Sequence, residues 1–191
     1  MSLTSNKPIQ EHLHDFLDWL DVEKGLSTRT QENYSRFLKR FFGWLSLKKL
    51  STMKPHEFTA DHIWDYRIYL ARQTRSMRSS EPLYKSTQNY YLIVLRSLLT
   101  YFAEKDILAI SPDKIKLARD KGEKEVRFLA SQQLEKLFLI PNTKTKIGLR
   151  DRALLETLFS TALRVSEIAA LDKIQITSLL QNNNTELSIT G

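Results

Sequence analysis

Apolar residues recur at three- and four-residue spacings through the first hundred residues, and this pattern predicts four amphipathic helices. The first is expected to stop near Gly25, Ser27 or Thr28 can cap the second, and Thr59 can cap the third. The fourth is expected over about residues 86–104. The predicted inward positions are Ile9, Leu13, Phe16, Leu17 and Leu20, then Tyr34, Phe37, Leu38, Phe41, Phe42 and Leu45, then Ile63, Tyr66 and Leu70, and finally Leu92, Leu95, Leu99 and Phe102. Such a set of helices predicts a compact bundle.

The pattern changes beyond this bundle. Ser111 and Pro112 are expected to begin a short further helix. Residues 114–127 are strongly charged, and we interpret part of this segment as an interdomain linker. Ser131 is expected to cap another helix, with Leu134, Leu137 and Phe138 as its inward residues. We therefore predict a helical domain over residues 1–113, a linker over 114–127 and a second domain over 128–191.

The tail of the chain favours extended structure. Ile174 and Ile176, and later Leu187 and Ile189, predict short strands separated by the polar residues 181–184. The predicted fold class is mainly α: a four-to-five-helix bundle followed by the incomplete, mostly helical start of an α+β domain. A second domain of about sixty residues that ends on half a hairpin is poorly placed to complete a core, so we expect a piece of a longer protein.

Composition narrows the function classes. The net charge is +7, which favours an anionic partner, nucleic acid before a membrane surface. The absence of cysteine excludes disulfides, thiolate metal sites and a cysteine nucleophile. The sequence shows no signal peptide and no apolar run long enough for a membrane span, so a soluble cytoplasmic protein is expected.

A cluster of cations lies between the third and fourth predicted helices. Residues 67–96 contain six cations and a single carboxylate, interleaved with hydroxyl and amide side chains that can bind phosphate oxygens or base edges. The alternative is a solvated helix face with a polar loop. The candidate DNA-binding residues of this cluster are Arg72, Arg75, Arg78, Lys85, Ser86, Thr87, Asn89 and Arg96.

The second helix offers another polar face, opposite its apolar stripe. Arg29, Thr30 and Arg36 are its candidate DNA contacts, although an ordinary soluble outer face fits the pattern equally well. The four histidines have no metal-ligand spacing with supporting carboxylates, and no dinucleotide or phosphate-loop motif is present. We therefore expect neither a metal nor a cofactor.

One arginine stands at a junction between two apolar helical segments. Arg164 follows a small-residue break at Ala162, and a guanidinium held at such a junction can clamp phosphate oxygens and stabilise charge that grows there during transfer. Glu167 lies three residues further along and can orient it. The alternative is an exposed arginine–glutamate helix pair.

Four blocks of sequence resemble the tyrosine recombinases of the phage integrase family, in the family's order and spacing. The blocks at residues 25–45 and 85–108 are similar to the SAM-like core-binding domain of Xer-like members. Residues 125–138 resemble the start of the catalytic domain, and LRDRALLETLFSTALRVSEIAAL at 149–171 resembles the first catalytic-arginine motif.

The resemblance implies a site-specific recombinase that clamps double-stranded DNA and exchanges strands through a phosphotyrosyl intermediate, without a metal or nucleotide. Arg164 would bind the scissile phosphate and Glu167 would support it. The family usually has glycine where this chain has Ala162. No tyrosine of this chain matches the family's nucleophile, so this chain is expected to bind DNA without recombining it. Family members act as tetramers, which here implies a homo- or hetero-tetramer of the full-length parent on two DNA sites.

Two other functions also fit this sequence. One is a naturally short, non-catalytic DNA-binding regulator of a recombinase. The other is a helical protein–protein interaction module whose basic loop is merely solvated.

Overall fold

The computed structural model describes residues 3–73, 81–118, 128–174 and 177. It divides into two compact units, Met1–Gly122 and Glu123–Gly191. Regular structure in the described ranges is helical, with one isolated bridge between Leu3 and Ile107, which confirms the mainly α fold class. The α-helices are α1 (Leu13–Val22), α2 (Thr28–Leu47), α3 (Ala60–Ile68), α4 (Lys85–Glu104), α5 (Ser131–Leu139), α6 (Lys146–Thr161) and α7 (Val165–Ala169).

The helices of the first unit begin and end close to the predicted positions. A 3₁₀ turn over Ile9–His12 leads into α1. Gly25 has a φ of 60° and follows α1, as expected for a residue that reverses the chain after a helix. Ser27 precedes α2 and Thr59 precedes α3. Each predicted amphipathic segment of the bundle is therefore a helix.

The core of the bundle lies where α1, α2, α3 and α4 meet, and it is rich in aromatic rings. Phe41 lies at its centre: its ring is 5.0 Å from that of Tyr66, 5.5 Å from that of Phe58 and 5.7 Å from that of Trp44. The buried residues that the sequence predicted are Ile9, Phe16, Leu20, Leu38, Phe41, Leu45, Ile63, Tyr66, Leu70, Leu92, Leu95, Leu99 and Phe102. Burial of these large side chains is the main source of the bundle's stability.

The end of the bundle lies inside the charged segment at 114–127. Ser111 caps a 3₁₀ turn over Pro112–Lys114 by accepting a hydrogen bond from the amide of Asp113. Ile115 is then buried and Leu117 packs against the core, so residues 114–118 belong to the packing of the bundle. Residues 119–127 lie outside the described part, and a linker there stays a prediction.

The second unit contains α5, α6 and α7. The helix α5 begins at Ser131, and the residue before it, Ala130, takes the capping position: its amide donates to the Gln133 side chain over 3.0 Å. Thr145 caps α6 by accepting from the amide of Gly148 over 3.0 Å. A side chain at Gly148 would place its Cβ only 2.0 Å from the carbonyl oxygen of Asn142, so this close approach requires glycine.

The strand predicted at Ile174 is wrong. Lys173, Ile174 and Thr177 have helical backbone, and the Thr177 hydroxyl donates to the Lys173 carbonyl over 2.8 Å, a bond between residues four apart that a strand does not allow. The strand prediction rested on β-branched residues, whose preference is easily overridden by local bonding. The other predicted strand residues, Ile176, Leu187 and Ile189, lie outside the described residues.

Candidate nucleic-acid interface

Three cations of the predicted cluster line one cleft in the first unit. The cleft, of about 420 Å³, lies between α3, the π-helical turn Tyr69–Gln73 that follows it, and the first turns of α4. Arg67, Arg72 and Lys85 all line it, so residues separated by up to eighteen positions in sequence share one surface. Arg75 and Arg78 lie outside the described residues. This concentration of positive charge at a concave surface favours an anion.

The N-terminus of α4 adds to the positive character of the cleft. Lys85 is the first residue of this 20-residue helix, and Ser86 and Thr87 follow it in the same turn, partly exposed. Tyr84 occupies the capping position of this terminus, and its side chain forms no capping hydrogen bond. Amide groups and the helix dipole at such an end suit a phosphate.

Two side chains at the cleft form hydrogen bonds with the main chain. Asn89 donates from Nδ2 to the Ala118 carbonyl over 2.8 Å, and its Oδ1 accepts from the Ala118 amide over 3.0 Å. Arg67 donates from Nη1 to the Lys116 carbonyl over 2.6 Å. Asn89, a predicted DNA contact, therefore holds the end of the bundle in this structure.

The predicted face of α2 is exposed, and its cations have weak partners. Arg29 forms an ion pair of 3.2 Å with Glu32 and its side chain is 85% exposed. Arg36 donates to Asn33 over 3.0 Å and lies 5.3 Å from the centre of the Phe37 ring. Exposed pairs of this kind contribute little to stability, so these cations can exchange partners for phosphate at low cost.

Aromatic residues join the α2 face to α4. The rings of Phe37 and Tyr90 are stacked at 6.5 Å, and Arg40 lies 5.5 Å from the centre of the Tyr91 ring. Thr30, on the first turn of α2, is within 3.1 Å of the Ser27 hydroxyl. Arg96 is apart from these residues: it lines a separate groove beside Lys24 and Thr100.

Trp64 and Tyr90 are exposed aromatic residues near the candidate contacts, and neither is among the DNA-binding residues predicted from the sequence. Trp64 lines the cleft and is 63% exposed, and Tyr90 is 59% exposed. The signal for Trp64 was present, because its position falls off the inward stripe of Ile63, Tyr66 and Leu70. Tyr90 likewise precedes the first buried residue of α4, Leu92.

The second unit brings Arg164 and Glu167 together at the junction of α6 and α7. Arg164 precedes α7; its amide donates to Glu167 Oε2 and its Nη1 donates to Glu167 Oε1, both over 2.8 Å. These two bonds, the one from the amide first, hold the pKa of the Glu167 carboxyl below its usual range. The Arg164 side chain remains 82% exposed, so it is anchored by one carboxylate and accessible to a ligand.

The backbone turns sharply just before this arginine. Ala162 ends α6 in the left-handed conformation, with φ 53° and ψ 24°. Glycine adopts this conformation freely and asparagine and aspartate tolerate it, whereas alanine, the residue in this chain, has a steric cost there because of its Cβ. The turn nonetheless places Arg164 at the start of the next helix.

The residues that the structure describes contain no group of three histidine or acidic side chains placed to hold a metal ion. No described helix has the length and apolar character needed to cross a membrane.

Comparison with known proteins places these features in a family. The profile of the phage integrase N-terminal SAM-like domain matches residues 13–109, which cover α1 to α4. Tyrosine recombinase XerC of Pelotomaculum thermopropionicum is 35% identical over 162 residues, 84% of this chain and 51% of the relative. Tyrosine recombinase XerD of Lacticaseibacillus casei is 31% identical over 159 residues, 82% of this chain and 50% of the relative.

A third relative, Tyrosine recombinase XerD of Pseudomonas aeruginosa, is 30% identical over 161 residues, 84% of this chain and 50% of the relative. The chain thus spans about half the length of the curated relatives it matches. No solved structure matches it significantly.

Proposed function

Because this chain belongs to the phage integrase family of tyrosine recombinases, we propose that it serves site-specific DNA recombination by binding double-stranded DNA through its helical bundle. The single observation that carries the proposal is the cleft where Arg67, Arg72 and Lys85 meet at the N-terminus of α4. Phosphate contacts of this kind supply affinity without reading sequence, and they position a protein on a duplex. The exposed cations of α2 extend the same function.

We assign the second unit the handling of the scissile phosphate. During strand cleavage by this family, a tyrosine oxygen forms a bond to phosphorus and the DNA oxygen opposite leaves, so negative charge grows on the non-bridging oxygens. The exposed guanidinium of Arg164 can bind those oxygens, and Glu167 fixes its orientation from the protein side. Assembly of the full-length parent into a tetramer stays a prediction.

Salt-dependent binding of a mixed-sequence duplex tests the proposal. We expect the logarithm of the affinity to fall linearly with the logarithm of salt concentration, and the Arg72→Ala and Lys85→Ala variants each to reduce the slope by about 0.9, because each removes one phosphate contact. Fluorescence anisotropy of labelled DNA measures both quantities.

Lys105→Ala is the matched control. It removes the same charge from the other end of α4, about 30 Å away along the helix, where Lys105 pairs with Glu23. Its slope should equal that of the native chain. Slopes that are unchanged in Arg72→Ala and Lys85→Ala would favour the interaction-module alternative, in which the basic loop is merely solvated.

A further inference from the structure

The segment that ends the described bundle is fastened to the wall of the basic cleft by two side chains. Asn89 on α4 bonds both main-chain groups of Ala118, at 2.8 and 3.0 Å, and Arg67 on α3 bonds the carbonyl of Lys116 at 2.6 Å. We call these three bonds the exit clip. They join two helices to a stretch of chain 29 and 49 residues further along, so they are tertiary contacts of the bundle.

Asn89 cannot form the exit clip and make the common two-bond contact with an adenine base at the same time. Recognition of adenine by asparagine uses one amide hydrogen and the amide oxygen together. In this structure those same two groups form the pair with Ala118. The amide is partly buried there, which makes breaking the pair costly. A direct base contact by Asn89 would therefore require the hydrogen bonds between Asn89 and Ala118 to break.

Arg67 is in a different position, because one bond to Lys116 uses one of its five N–H groups. The guanidinium is rigid and planar, so a single bond at Nη1 restricts where the others point. Arg67 also lines the cleft together with Arg72 and Lys85. The clip thus holds a cation in an orientation prepared for an anion, and such preorganisation raises affinity by reducing the ordering cost of binding.

We infer that Asn89 is a positioning residue for DNA binding, which acts by fixing residues 116–118 so that Arg67 presents its guanidinium to a DNA phosphate in the cleft. This inference rests on the proposed function and goes beyond it, since it assigns Asn89 no contact with DNA. Binding of a phosphate and closure of the clip then favour each other, as linkage requires of any two coupled equilibria.

The salt dependence of DNA binding separates this role from a direct contact. Asparagine is uncharged, so loss of a direct contact by Asn89→Ala would weaken binding without changing the slope against salt. Loss of a positioned Arg67 removes one phosphate contact, so we expect Asn89→Ala to reduce the slope by about 0.9, as Arg67→Ala does. The double variant should show no further reduction, because both changes remove the same contact.

Ala118→Pro opens the clip from its other side and leaves Asn89 intact. Proline has no amide hydrogen for Asn89 Oδ1, so this variant should show the same reduced slope. Helical content measured by circular dichroism controls for the fold of the bundle, and hydrogen exchange at the Ala118 amide shows whether Asn89→Ala has opened the clip. Equal slopes for the native chain, Asn89→Ala and Ala118→Pro, all binding DNA, would overturn the inference alone. A native chain that does not bind DNA would overturn the proposed function and the inference together.

Discussion

The left-handed backbone of Ala162 precedes Arg164, the residue that we propose binds the scissile phosphate. The left-handed conformation of Ala162 ends α6, and two residues later Arg164 precedes α7 with its amide and guanidinium both bonded to Glu167. Because alanine has a Cβ, the chain accepts local strain at this turn. Alanine disfavours this conformation, so the surrounding packing and hydrogen bonds must stabilise the turn.

We expect Ala162→Gly to stabilise the α6–α7 junction by about 1 kcal/mol, because glycine adopts positive φ without the steric cost of a Cβ. Hydrogen exchange of the amides in α6 and α7 measures this local free energy. Ala153→Gly is the control of opposite sign: it lies in the helical interior of α6, where glycine costs about 1 kcal/mol relative to alanine. Exchange rates that Ala162→Gly leaves unchanged would show that the turn carries no strain.

At the scale of elements, the hydrophobic pattern predicted the positions of the helices well. It predicted only part of the set of residues that each helix buries. Leu98 and Tyr101 of α4 are buried although they fall outside the predicted stripe. The reason is that α4 contacts α1, α2 and the π-helical turn, so neighbours cover a wider arc of it than a helix packed on one side would bury. Trp44 was missed in the same way on α2, where it is 1% exposed between Phe41 and Leu45.

For the candidate site, the sequence predicted which charged residues cluster, but it did not predict their hydrogen bonds. Clustering of arginine and lysine along the chain located the cleft, because those residues lie on adjoining ends of consecutive helices. The engagement of Asn89 and Arg67 with Ala118 and Lys116 could not be predicted, since main-chain groups far along the sequence carry no side-chain signature. Long-range pairing with backbone is visible only in three dimensions.

The turn that leads into α1 carries a buried histidine. His12 is 4% exposed, packs edge-on against Phe102 at 5.1 Å and lies 3.2 Å from the Ser5 hydroxyl. Burial lowers its pKa below the ordinary value of 6.5, and the nearby Lys7 acts in the same direction, whereas Asp15 opposes them. The folded state therefore holds His12 neutral more readily than the unfolded chain does.

This shift predicts a loss of stability in acid. The unfolded state binds the proton more tightly, so the contribution of His12 to the free energy of unfolding should be fully present above the unfolded pKa of about 6.5 and should be lost as the pH falls below that value. We expect His12→Gln to remove part of that loss, as measured by urea denaturation across the pH range. His14→Gln, at an exposed neighbouring position, is the control that should keep the native dependence; identical profiles for both variants would contradict the assignment to His12.

At the scale of the whole molecule, the two units contain different parts of the proposed chemistry. All seven tyrosines of the chain lie between positions 34 and 101, within the first unit, whereas Arg164 and Glu167 belong to the second. Burial raises the pKa of Tyr66 and Tyr101, which keeps both phenols protonated and poor as nucleophiles. The second unit of this chain thus contains the arginine that we propose as a phosphate-binding group, and its sequence contains no tyrosine.

We expect the 191-residue chain to bind duplex DNA and to form no covalent adduct with it. Incubation with an end-labelled, nicked duplex followed by denaturing electrophoresis measures this, since a phosphotyrosyl bond survives denaturation. A full-length Xer recombinase on its own site serves as the positive control. A labelled band retained on the 191-residue chain, and lost on substitution of one of its tyrosines by phenylalanine, would contradict the expectation.

The distribution of tryptophan gives the first unit an optical reporter at its cleft. Trp19 and Trp44 are 4% and 1% exposed, whereas Trp64, which lines the cleft, is 63% exposed. Indole emission shifts to longer wavelength in contact with water, so the red edge of the protein's fluorescence comes mainly from Trp64. Iodide should quench this long-wavelength emission, and DNA bound in the cleft should protect Trp64 from the quencher. The degree of quenching therefore measures occupancy of the cleft in the unlabelled native chain.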